Sequence, residues 1–261
     1  DYQGLEPTVD EITFVPYTDT TTAYTDVQAG NLDIAGVPGA RQTQAEADFG
    51  DRLYSFEAAG ISYLGLPLWD ARYSDVRVRQ AISMAIDRDE IIKSIFKNSQ
   101  QSARSFVSPV VGGYREDTCG ASCQFNAANA KTAYTAAGGP ATIKISYNGD
   151  GGHKDWVDAT CNQLKTNLGI QCTGIAEPKF ADLLSKVEKK QDVGMFRMGW
   201  VMDYPSMENY LGPIYTTKGS SNYYGYSNPE FDALVAEGTK AADEDAAIAK
   251  YQAAEDLLAA D

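Results

Sequence analysis

VGMFRMGWVMDYPSMENYL, Val193 to Leu211, is the stretch that decides how the chain is read. Its first half is an apolar run holding a lone Arg197, and it is short enough for a buried strand. Asp203 and Tyr204 then lead into Pro205, and proline suits the first turn of a helix. Arg197, Trp200 and Asp203 therefore fall at the carboxyl end of an expected central strand, the edge at which open α/β sheets hold ligands. A cation and an anion in that arrangement suit a zwitterion such as a peptide. The same residues also fit a plainer scheme, a buried arginine paired with an acid and an aspartate that shapes a turn. Spacing alone leaves both open.

Outward from this stretch, strand and helix patterns alternate. Ile143, Ile145 and Tyr147 alternate with Thr142, Lys144 and Ser146, as a strand requires. Lys154 to Leu168 puts Val157, Cys161, Leu164 and Leu168 on one helical face, Ile170 to Ile175 reads as a strand, and Lys179 to Lys189 as a helix. The β-α-β-α-β order predicts an α/β lobe with a mostly parallel sheet flanked by helices. Upstream, Val78, Ala81, Ile82, Ala85 and Ile86 recur at helical spacing, and Asp87 can cap the next helix with Glu90 three residues on. Ser105 to Thr118 reads as a long surface connection, and Asn126 to Ala137 as a helix stopped by Gly138-Gly139-Pro140. Among the first 70 residues, strands are expected at Ile12 to Pro16, Leu32 to Ala35, Leu53 to Glu57 and Ile61 to Leu68. Helices are expected at Ala23 to Gly30 and Arg41 to Phe49, with a parallel strand pair joined by a right-handed crossover. Pro229 and Glu244 open two last helices.

The 261 residues allow one large domain or two modest ones. A formal charge of −14 excludes nucleic acid and anionic membrane faces as partners, since both need a basic patch. Four cysteines permit three pairings. Cys119 and Cys123 share a loop and can bridge locally. Seven residues of helix climb about 10 Å beyond Cys161, and three of strand return about 10 Å to Cys172, so those sulfurs can also meet. A zinc cluster would want paired CxxC or histidine partners, and the chain has one histidine. Two disulfides in an oxidising, extracytoplasmic setting are expected, with no metal and no cofactor.

Catalytic signatures are lacking. With 36 acids, chance carboxylate pairs are unavoidable and mark no hydrolase. His153 follows the glycine-rich turn Asn148-Gly149-Asp150-Gly151-Gly152 and reads as a solvated residue at a helix start, without the partners a triad base needs. That turn has neither the terminal acid of a calcium loop nor the Lys-Ser/Thr pair of a phosphate loop. Arg77 and Arg79 read as solvated or structural. No catalytic residue is assigned.

Gly199-Trp200-x-x-Asp203-Tyr204-Pro205 resembles the GWxxDYPDP signature of the extracellular solute-binding proteins of peptide-importing ABC transporters, the oligopeptide/dipeptide-binding class known as family 5. Asp75 to Ile82 with Ala85-Ile86-Asp87-Arg88 resembles that family's DVRVRQAI…AIDR stretch. Asn222 with Tyr226 to Asp232 resembles its N…YSNPEFD, and Val27 to Ile34 its xAGxxDI element. The resemblance spans nearly the whole chain. It implies a periplasmic-binding-protein-like (type II) lobe, present as an excised fragment. Residues 1–70 would be a partial first-lobe segment with the interlobe crossover, and residues 71–261 the C-terminal α/β ligand-binding lobe. The implied function is non-enzymatic: the substrate-binding component of a bacterial ABC importer, capturing peptides in an interlobe cleft for delivery to a membrane permease. By motif position, Asp203 would take the peptide ammonium, Trp200 would line a side-chain pocket, and Arg197 would meet a carboxylate. Tyr204 and Asn222 are further ligand-binding candidates, with turn and core packing as their other reading. Family members that take oligosaccharides or nickel complexes keep those ligands open, and a hydrolase is the alternative from another class. The implied protein is an extracytoplasmic monomer, membrane-anchored through a segment outside this chain. Two departures stand out: Asp203-Tyr204-Pro205-Ser206-Met207 replaces DYPDP, and Leu66-Pro67-Leu68 replaces an asparagine-containing crossover.

Overall fold

The computed structural model describes residue 4, residues 8–57 and residues 59–261. Asp19 accepts a hydrogen bond from the Thr21 amide at 2.7 Å and caps α1 (Thr20–Ala29), which Gly30 closes in the left-handed conformation. The buried Tyr24 ring of α1 meets Phe49 of α2 (Ala45–Phe49) edge-on at 5.0 Å, and its hydroxyl donates to Asp48 at 2.5 Å. This small cluster is the main burial that residues 8–57 achieve. The strands expected at 12–16, 32–35 and 53–57 do not form: no ladder pairs them among the described residues. Ile12, Phe14 and Phe56 stay 70%, 90% and 84% exposed. A strand is stabilised by its cross-strand neighbours, and alternation alone supplies none. The expected parallel pair and crossover fail with them.

The first strand that does form is β1 (Gly60–Gly65). Beyond it, Asp75 caps α3 (Val76–Met84), Asp87 accepts from the Glu90 amide to cap α4 (Arg88–Ser94), and Asn126 caps α5 (Ala127–Ala136). The sheet continues with β2 (Thr142–Asn148), α6 (Lys154–Leu168), β3 (Gln171–Glu177), α7 (Phe180–Glu188) and β4 (Met195–Val201). Then follow α8 (Glu208–Tyr215), α9 (Pro229–Thr239) and α10 (Glu244–Ala260). Strand order is β1-β4-β2-β3, with β2 parallel to both β3 and β4 and β1 antiparallel to β4. The helical crossovers α6 and α7 impose the parallel pairs. Pro205 does not begin a helix: α8 starts three residues later, with Met207 at its cap.

Helices cover both faces of this mixed sheet, so its inner strands read as continuous apolar runs. Ile143, Ile145 and Met195 join Val78, Ala81 and Ile82 of α3 and the apolar stripe of α6 in one core. Phe196 and Met198 face the opposite way, against Leu183 and Val187 of α7, Tyr210 of α8 and Phe231 of α9. Entry into β4 is tight. Gly194 has a φ of 66°, and a Cβ there would fall 2.4 Å from the Lys144 carbonyl oxygen. The Ser146 hydroxyl donates to the Val193 carbonyl at 2.6 Å and holds the approach. Disulfides join Cys119 to Cys123 and Cys161 to Cys172, with Cα atoms 5.6 and 5.0 Å apart; the second pins α6 to β3. No described helix is long and apolar enough to cross a membrane.

Residues 105–118 are not the surface connection that their Pro and Gly content suggests. Val107 and Val111 are 2% and 3% exposed and plug the second core. A buried loop must satisfy its backbone polar groups, and the fully buried Glu255 of α10 does so. It accepts from Ser105 Oγ at 2.7 Å and from the Phe106 amide at 3.3 Å, with Arg115 at 3.5 Å. Burial pushes the Glu255 carboxyl above its ordinary value. An acid whose folded-state pKa is raised costs stability as pH climbs through that value, and the cost vanishes below its unfolded value. Glu255→Ala should lower unfolding free energy by about 3 kcal/mol in urea melts, because it strips the loop of its acceptor. Glu255→Gln should instead flatten the stability-versus-pH curve on the acid side of neutrality; an unchanged curve would contradict the assignment.

Candidate functional site

β2 ends at Asn148 beside the middle of β4, which runs on to Val201, so the turn after β2 lies near Arg197. Arg197 lies on β4 opposite Leu64 of β1, and its guanidinium folds along the strand over Gly199: a Cβ at 199 would lie 3.4 Å from Nη2. The tighter approach at Gly199 is across the sheet, where a Cβ would lie 3.1 Å from the Ile61 carbonyl oxygen of β1. Arg197 makes no ion pair among the described residues. Its Nη1 reaches Asn148 Oδ1 only at 3.5 Å, and its buried Nε has no partner. The plainer scheme, an arginine paired internally with an acid, is therefore not what the structure contains. Burial lowers the guanidinium from its ordinary pKa, yet an arginine remains charged.

The turn after β2 supplies a neighbour, His153, that from sequence reads as a solvated residue at a helix start. His153 is partly buried, not solvated, and the glycine-rich turn wraps it: a Cβ at Gly151 would fall 2.4 Å from its Nε2. Trp156 Nε1 donates to His153 Nδ1 at 3.2 Å. Burial, with the nearby Arg197 charge second, pushes the imidazole down to about 4, so it is neutral at pH 7. Asn148 Nδ2 donates to Asp150 Oδ1 at 2.6 Å, which holds that carboxyl below the usual range. The available signal was topological: parallel β2 and β4 must put the turn at 148–153 beside Arg197.

Asp203 lies just past β4, exposed. Its amide donates to the buried Asn209 Oδ1 at 2.7 Å, which fixes the turn. No hydrogen bond or ion pair among the described residues engages its carboxylate. Trp200 points to the other face of β4 from Arg197, packs on the second core, and leaves its buried Nε1 without a partner. Tyr204 is half-exposed and donates to Glu208. Asn222 is elsewhere and fully occupied. Its Nδ2 donates to the Thr216 and Tyr226 carbonyls at 2.9 and 2.7 Å, and its Oδ1 accepts from the Gly225 and Tyr226 amides. It organises its own loop and does not meet Arg197 or Asp203. No group of three or more His, Cys, Asp or Glu side chains suited to a metal occurs among the described residues.

The model for bacterial extracellular solute-binding proteins, family 5 (Middle), matches residues 1–222. The chain belongs to that family. Bacillus subtilis oligopeptide-binding protein OppA is 27% identical over 80% of this chain and 40% of its own length, and the dipeptide-binding protein DppE of the same organism 25% identical over 96% and 47%. Burkholderia pseudomallei OppA superposes with a TM-score of 0.85 at 25% identity, covering 94% of this chain and 50% of that one. Bacillus subtilis AppA in complex with a nonapeptide gives a TM-score of 0.80 at 22% identity, a likeness of fold. The family 5 chain thus spans about half the length of the relatives it matches.

Because the imidazole is held neutral by its surroundings, proton NMR of the chain should give a His153 midpoint of about 4, well below the ordinary 6.5. Stability tied to this group is present above 6.5 and is lost as pH falls through about 4. Arg197→Gln should move the midpoint upward; an ordinary midpoint in the parent chain would dissolve the pairing.

Proposed function

We propose that this chain forms one wall of a peptide-binding cleft and serves the substrate-binding component of a bacterial ABC importer, binding without chemical turnover. The carrying observation is charge placement. One cation, Arg197, lies within β4 level with the end of β2, and one anion, Asp203, lies just past the end of β4; neither forms an ion pair among the described residues. A free peptide offers the complementary pair, a carboxylate for the guanidinium fork and an ammonium for the aspartate. About 13 Å of extended backbone separates Gly199, under the guanidinium, from Asp203. That matches about three or four extended peptide residues.

His153 adds an uncharged donor beside Arg197. Val201, exposed and on the same face of β4 as Arg197, offers apolar wall for ligand side chains, and Trp200 backs the strand from the second core. Tyr204, tied to Glu208, and Asn222, spent on its loop, act by shaping the surroundings. The names of the relatives support a peptide as ligand. In the whole protein, residues 1–70 would contribute part of the first lobe and the crossover, residues 71–261 the C-terminal lobe, with closure on ligand read by a membrane permease. The setting is extracytoplasmic, the protein monomeric and anchored to the membrane.

NMR titration with trialanine reads weak as well as tight binding. Asp203→Asn should weaken it by about tenfold to a hundredfold, the worth of a charge-assisted hydrogen bond. Acetylating the amino end of the peptide should cause a similar loss in the parent chain and little further loss in Asp203→Asn. Equal binding of free and acetylated trialanine would end this reading.

A further inference from the structure

Beside Arg197, strands β1 and β4 present a strip of sheet with almost no side chains on it. The Met202 amide bonds to the Ala59 carbonyl at 3.3 Å, and bonded pairs recur at every second residue of an antiparallel ladder. Trp200 and Ile61 are therefore a bonded pair. Gly199 and Ser62, directly opposite each other, form a non-bonded pair, the kind whose side chains stand closest. Arg197 with Leu64 and Val201 with Gly60 flank them on the same face. Gly199 and Ser62 are both exposed there, so no helix covers the strip at this point.

The point that a Cβ of residue 199 would occupy lies 3.4 Å from Arg197 Nη2 and 3.8 Å from Ser62 Oγ. Two donors from neighbouring strands thus flank one spot that no protein atom fills. The Ser62 hydroxyl has no partner among the described residues. The Ile61 carbonyl oxygen, 3.1 Å from the same point, belongs to a bonded pair of the ladder and keeps an anion from settling onto the strand itself. A carboxylate above the glycine can give one oxygen to the guanidinium and the other to the hydroxyl, each at about 2.7–2.9 Å. His153 adjoins the guanidinium from the side of β2, and Ser62 completes the donor set from the side of β1.

We propose that Ser62 is a specificity-determining residue of the peptide wall, donating to the second oxygen of the ligand carboxylate whose first oxygen Arg197 holds. The assignment rests on the peptide reading of this wall, and it makes a free carboxyl end preferred over an amidated one. Trialanine and trialanine amide are the probes, titrated into the chain and followed by NMR. Ser62→Ala should weaken trialanine by about threefold to tenfold. The amide, whose uncharged end is a poorer acceptor, should lose less. Ser62→Thr keeps the hydroxyl on a residue that suits a strand and should restore most of the loss. The proposal is overturned if Ser62→Ala leaves trialanine binding unchanged, if acid and amide lose equally, or if Ser62→Thr restores nothing. Should acetylation of the amino end still matter in that event, the peptide reading stands and only the role of Ser62 is lost. Absence of saturable shifts with either probe removes both.

Discussion

The placement of β4 against β2 rests on very little ladder. Only Ile145–Met195 and Ser146–Phe196 pair across it. Everything at the carboxyl end of the sheet inherits its position from that seam, including Arg197, Gly199 and the turn to Asp203. The seam closes because residue 194 has no side chain. Its positive φ is one that L residues rarely adopt, and a methyl group would strike the Lys144 carbonyl. A serine hydroxyl then satisfies the Val193 carbonyl, which would otherwise be buried without a donor. Packing on both faces does the rest: Met195 goes to one core while Phe196 and Met198 go to the other.

On that frame the site is held in tension with its own stability. A partly buried guanidinium without an ion pair is unfavourable, because the charge of Asp150 offsets its desolvation only in part. The neighbouring imidazole responds by staying neutral. Buried charge without a partner clusters where chemistry or binding needs it. Asp203 is handled differently: its backbone is fixed by Asn209 and its carboxylate is left in water. One charge is thus poised in a dry setting and the other in a wet one.

Periodicity made the α/β lobe legible. The helices from α3 onward, apart from the start of α8, their Asp and Asn caps and the β2-to-β4 order follow from spacing and capping chemistry. The Cys161–Cys172 disulfide follows from rise per residue, and Cys119–Cys123 from proximity within one loop. Reading failed where partners decide the outcome. Ile12 to Pro16 alternates well, yet nothing in the described structure pairs with it, so it stays an extended, exposed segment. Residues 105–118 look like a loop and are one, but a buried glutamate that bonds to them across 149 and 150 residues draws them into the core. Such a long-range partner leaves no local trace. The candidate site was half legible. The Arg197–Asp203 spacing was visible, whereas His153 joins it only through strand adjacency, and Asn222 turned out to be occupied by its own loop.

The Trp156–His153 contact settles one more matter. An indole nitrogen can only donate, so Nδ1 of this imidazole must be the bare nitrogen and Nε2 must bear the hydrogen. With protonation so strongly disfavoured, a single tautomer persists across the neutral range. Whatever meets Nε2 must therefore bring a lone pair. Arg197 asks the same of its visitor, so the two side chains form a patch of hydrogen donors whose preference does not switch between mildly acidic and mildly alkaline surroundings.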